Sequence, residues 1–103
     1  MKKSLYKVKT AEYGVKLKDE EPALYQVRLH NDEFTPMEFV LGVLERFFHM
    51  DRRTAVKMML IAQQQGSAVC GFFSKDVAAT KITDVKDYAT SKEFPLVCSM
   101  EAA

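Results

Sequence analysis

The sequence contains no tryptophan, only two cysteines, two histidines, three prolines and four glycines, and its charges nearly cancel, with 15 basic against 14 acidic side chains. Each shortage excludes something. Cys70 and Cys98 stand far apart with no C-x-x-C spacing, so no disulfide-stapled secreted scaffold is expected. A four-ligand zinc site from His30, His49, Cys70 and Cys98 lacks clustered ligand spacing, and no metal or cofactor is expected. Gly14, Gly42, Gly66 and Gly71 form no phosphate-binding loop. A formal charge of +1 gives no bulk attraction for nucleic acid or an anionic membrane, and neither is an expected partner. No apolar run approaches the roughly 20 residues of a bilayer span. Lys2 and Lys3 imitate a signal-peptide start, but no continuous apolar stretch follows them. A cytoplasmic protein with reduced thiols is expected.

What is present is 103 residues, 48% of them hydrophobic, enough for one domain with its own core. The charges are unevenly laid out. Lys2, Lys3, Lys7, Lys9, Lys16 and Lys18 face Glu12 alone over residues 1–18, and Asp19, Glu20, Glu21, Asp32, Glu33 and Glu38 then face Arg28 alone. Residues 1–22 bury too little apolar area to offset their ordering entropy and read as a mobile extension. Weak alternation around Leu5–Val8 and Tyr13–Leu17 leaves an added strand as the alternative.

Residues 23–103 read as one α+β core. Leu24–Leu29 alternates as a strand with Tyr25, Val27 and Leu29 on one face, and His30 breaks it. Thr35-Pro36-Met37-Glu38 predicts a helix start in which Thr35 caps, Pro36 takes the first helical position and Glu38 completes a capping box. Phe39, Val40, Val43, Leu44 and Phe47 form its buried stripe. Asp51 caps a second helix with Ala55, Met58, Met59 and Ala62 inward, and Gly66 stops it. Ser67–Phe73 is a strand, and Ser74 caps a third helix carrying Ala78, Ile82, Val85 and Ala89. Phe94–Met100 is the last strand. The order β-α-α-β-α-β predicts a two-layer domain, a small antiparallel sheet covered by helices on one face.

No catalytic constellation stands out, since neither histidine has a triad-like context and buried strand thiols are poor nucleophiles. An enzyme is not expected. The informative segment is Asn31-Asp32-Glu33-Phe34-Thr35-Pro36-Met37, which puts an amide and two carboxylates in a strand-to-helix turn. Such acceptors suit a cationic donor, for example the α-ammonium group of a chain terminus. Met37, Val40 and Met59 beside them suit an apolar recess that admits differently shaped side chains. The same residues also read as a solvated turn and ordinary core methionines.

The string Asn31-Asp32-Glu33-Phe34-Thr35-Pro36-Met37-Glu38-Phe39-Val40 closely resembles the Asn-Asp-Asp/Glu-Tyr/Phe-Thr-Pro-Met-Glu-Phe-Val signature of the ClpS family, adaptors that pass N-degron substrates to the Clp unfoldase–protease. Gln65–Gly71, Ala79-Thr80-Lys81 and Phe94–Cys98 echo it, so the likeness spans about residues 23–102. It implies that Asn31, Asp32 and Glu33 hold the substrate's free α-amino group. It implies that Thr35, Met37, Val40, Met59 and Leu96, with Leu29 nearby, line the pocket for the first side chain, Met37 excluding β-branched residues. It also implies that Asp76 and Lys81 contact the unfoldase's N-terminal domain, and that the extension acts as the hand-off arm. Two positions depart, with Gln63 where the family usually has histidine and Ala62 where it usually has valine. Glutamine can accept from an ammonium and donate to a peptide carbonyl, but it does not titrate.

A monomeric peptide-binding adaptor with an altered residue preference is therefore the leading expectation. An unfoldase modulator that has lost N-degron binding is the alternative, and the lysine-rich leader alone supports a nucleic-acid or ribosome-associated module. With no histidine at the site, ligand affinity is expected to stay nearly flat between about pH 6 and 7.5.

Overall fold

The computed structural model describes residues 23–103, so the extension assigned to residues 1–22 lies outside the described residues. Six elements follow in the expected order: β1 (Leu24–His30), α1 (Met37–Phe48), α2 (Arg52–Gln65), β2 (Ser67–Ser74), α3 (Lys75–Ser91) and β3 (Cys98–Ala102). β1 is central, antiparallel to β2 on one side and to β3 on the other. The alternation of β1 sends Val27 and Leu29 into the core, where they meet Val40, Val43 and Leu44 of α1, Ala55, Met59 and Ala62 of α2, and Ala78, Val85 and Ala89 of α3. The α+β two-layer arrangement is the one expected. On β2, Val27 pairs with Gly71 while Arg28 pairs with Val69, so Cys70 is the extra residue of a bulge.

Local signals explain most element ends. Asp51 accepts from the Thr54 N–H at 2.8 Å and caps α2. Gly66 ends α2 at φ 92°, a left-handed conformation that favours glycine, and its N–H returns to the Ala62 carbonyl. Ser74 accepts from Val77 and caps α3.

Two boundaries differ from the sequence reading. Thr35 does not cap α1; Pro36 occupies the N-cap position and no side chain caps it. The cause is Asp32, whose Oδ2 accepts from the Thr35 hydroxyl at 2.8 Å. Thr35 is thereby turned back toward the strand end. Glu38 joins no capping box and instead accepts from Arg52, which also reaches Glu45, tying α1 to α2 on the surface. The last strand starts at Cys98 rather than Phe94. Residues 94–97 are drawn off the sheet because the Phe94 N–H closes on the Ala89 carbonyl at 2.9 Å and its ring packs on Phe39 at 4.8 Å. Pro95 has no N–H to offer a ladder.

Candidate functional site

The end of β1 is held from both sides. His30 N–H donates to the Val97 carbonyl at 3.1 Å, and Asn31 N–H donates to the Gly66 carbonyl at 2.9 Å. The stop of α2 and the lead-in to β3 thus grip the residues where the polar turn begins. Within the turn, Asp32 Oδ1 accepts from the Phe34 and Thr35 N–H groups at 2.8 and 2.7 Å. Three hydrogen bonds therefore orient one carboxylate. Oδ2 accepts only from Thr35, which leaves acceptor capacity for a further donor.

Beside this turn the sheet and the first two helices leave a recess of about 320 Å³, counting the part open to solvent. Leu29, Val40, Met59, Ala62 and Leu96 form its buried apolar wall. Met37, 58% exposed, and Thr35 also line it. Asn31, Asp32 and Gln63 supply the polar edge, and Asn31 and Gln63 are exposed to solvent. An apolar recess rimmed by acceptors and amides fits a ligand with one hydrophobic side chain and one cationic or amide group beside it.

Of the eleven residues proposed from the sequence for the amine and the pocket, ten line this one recess. Glu33 does not; it is exposed outside the lining. Asp32 is the carboxylate that the turn itself bonds. His30 lines the recess and was missed. As the last residue of β1 it reads from sequence only as a strand breaker, and its one signal is that it precedes Asn31. Its Nε2 lies 2.6 Å from Ser99 Oγ. The expected pH-independence rested on the site having no histidine, and His30 removes that premise.

Asp76 and Lys81 lie together on a shallow depression of α3, with Val77, Thr80 and Asp84. Lys81 is also a structural brace. Its Nζ donates to the Phe47 carbonyl at 2.7 Å, near the end of α1, and sits 5.7 and 5.3 Å from the ring centroids of Phe48 and Phe73. Among the described residues no three or more His, Cys, Asp and Glu side chains gather as metal ligands. Burial pushes both the Cys70 and the Cys98 thiols up to about 12, so neither is a thiolate near neutral pH. No described helix is long and apolar enough to cross a membrane.

Comparison with known proteins converges on one family. Residues 20–99 match the family model described as ATP-dependent Clp protease adaptor protein ClpS. The ATP-dependent Clp protease adapter protein ClpS of Erwinia tasmaniensis is 49% identical over 82 residues, 80% of this chain and 77% of the relative. That of Pectobacterium carotovorum is 48% identical over 88 residues, 85% of this chain and 83% of the relative. Among solved structures, Agrobacterium tumefaciens ClpS2 bound to L-phenylalaninamide superposes with a TM-score of 0.78 at 38% identity, covering 81% of this chain and all of that one.

Proposed function

The chain belongs to the ClpS family of adaptors for the ATP-dependent Clp protease, and from that premise we propose that its recess binds the free N-terminal residue of substrates destined for a Clp unfoldase. The preferred first residue is large and hydrophobic or aromatic. The observation that carries this reading is the junction of the turn fixed by Asp32 with the Leu29–Val40–Met59–Ala62–Leu96 wall. Asn31, Asp32 and Gln63 face the α-ammonium and the first peptide group, and the wall takes the side chain. L-Phenylalaninamide, the ligand of the A. tumefaciens relative, presents the same combination: a free amine, an aromatic ring and an amide. Such binding involves no bond-breaking chemistry, and an adaptor is not an enzyme.

Burying one large side chain contributes about 1.5–3 kcal/mol, and each charge-assisted hydrogen bond about 1.5–3 kcal/mol. After association costs, this suits micromolar affinity. Ala62, smaller than the valine usual in the family, takes up less of the recess that it lines. Anisotropy titration of peptides beginning with Phe, Tyr, Trp or Leu is expected to give micromolar dissociation constants, with Ile- and Val-first peptides weaker if Met37, which lines the recess, excludes β-branched residues as the family resemblance implies. Failure of every such peptide, with unfoldase binding intact, would instead fit a modulator without a degron site.

The unfoldase contact is assigned to the α3 depression at Asp76 and Lys81. Asp76→Ala is the cleaner probe: Asp76 is exposed in the first turn of α3, so the change should weaken unfoldase binding at a stability cost under about 1 kcal/mol. Lys81→Ala should weaken it too, but with about 1–2 kcal/mol of destabilisation from the lost bond to Phe47 and the ring contacts. Unchanged unfoldase affinity in Asp76→Ala, measured on the isolated N-terminal domain, would move the contact elsewhere.

A further inference from the structure

The recess is lined by one carboxylate, Asp32, and among the described residues by no lysine or arginine. His30 is the other titratable group of the lining, and its Nε2 is engaged with Ser99 Oγ at 2.6 Å. Three hydrogen bonds from its own turn fix Asp32, so its negative charge stays in place when a ligand arrives. Asn31, Thr35 and Gln63, the remaining polar side chains of the lining, are neutral. The positive end of α1 attracts anions in general, but Glu38 already stands in its first turn.

In any amino acid the α-nitrogen and the carboxyl carbon are about 2.5 Å apart. An ammonium held against Asp32 at about 2.8 Å therefore brings that carbon within roughly 5–6 Å of a fixed negative charge. A carbon in a peptide or carboxamide group is neutral there, and the amides of Asn31 and Gln63 can donate to its oxygen or accept from its N–H. A free carboxylate instead meets a like charge at the edge of an apolar recess, with no cation beside it. We infer that the recess refuses free amino acids and selects a first residue continued by a peptide or carboxamide bond, with Asp32 and Gln63 as the determinants. This rests on the N-terminal reading of the recess and adds what must follow the first Cα. Gln63 stands where the family usually has a histidine, whose cationic form supplies the positive charge that a glutamine lacks.

The test is displacement of a fluorescent Phe-first peptide from the full chain by L-phenylalaninamide, L-phenylalanine and phenethylamine. The last keeps the ring and the amine and has no carbonyl group. L-Phenylalaninamide should bind at least about tenfold more tightly than L-phenylalanine, with phenethylamine between them. The amine of the free acid is the more basic, so incomplete protonation works against this order. Gln63→Lys changes an exposed position. It should strengthen L-phenylalanine by about fivefold and narrow the gap. Amide and acid within about threefold of each other would overturn the inference. So would L-phenylalanine no weaker than phenethylamine, or a gap that Gln63→Lys leaves unchanged. If L-phenylalaninamide itself displaces nothing, the inference fails while the N-terminal reading stands on the peptide titrations. If N-acetyl-L-phenylalaninamide displaces the peptide as well as the free amine does, the N-terminal reading fails, and the inference with it.

Discussion

Asp32→Ala is expected to lose at least tenfold in affinity for a Phe-first peptide and about 1–3 kcal/mol of stability together. The carboxylate orients the turn through Phe34, Thr35 and the Thr35 hydroxyl, and it is also the negative group assigned to the ligand's ammonium. Asp32→Asn separates the two roles. Its carbonyl oxygen can accept the same two N–H groups, and its amide can donate to Thr35 Oγ1, so stability should stay within about 1 kcal/mol of the parent. The negative charge is gone, and affinity should still fall by about tenfold, the difference between a charge-assisted and a neutral hydrogen bond. Urea unfolding and anisotropy on both variants check this. Wild-type affinity in Asp32→Asn would reduce Asp32 to a structural residue.

Ala62→Leu should give the second large effect. Ala62 is 1% exposed and lines the recess beside Met59. A larger side chain there meets the buried core cluster to which Ala62 belongs as well as the space the ligand would fill. Stability should fall by the roughly 1–3 kcal/mol usual for overpacking. Binding should fall between about ten- and a hundredfold, the equivalent of expelling one buried side chain. A Trp-first peptide should suffer more than a Leu-first one. Equal retention of both would mean that the first side chain does not enter this recess.

These effects trace to residues that differ in how visible they were. Asp51, Gly66 and Ser74 act through bonds made within a few positions, so local spacing locates their helix ends correctly. Thr35 is equally local, but two local partners competed for it. Asp32, three residues earlier, captured its hydroxyl, and the capping pattern alone carries no sign of which bond wins. The apolar run Phe94–Met100 overstates the last strand, because run length does not reveal that Phe94 belongs to the aromatic cluster with Phe39 and Tyr88. Of the recess, Met37, Val40 and Met59 were legible from spacing. Leu29 and Leu96 came from the family resemblance, because only tertiary pairing of β1 with the lead-in to β3 brings them together. His30 was legible to neither route. It enters the wall through the backbone grip at Val97 and its contact with Ser99, both of which depend on the completed sheet.

Recognition of a chain terminus is tested most directly by one paired titration. A Phe-first peptide and its N-acetylated copy are measured against the same protein in the same buffer. The site described by Asn31, Asp32 and Gln63 predicts micromolar binding of the free peptide and at least about thirtyfold weaker binding of the acetylated one, since acetylation removes the charge and its hydrogen bonds. Equal affinities would contradict it.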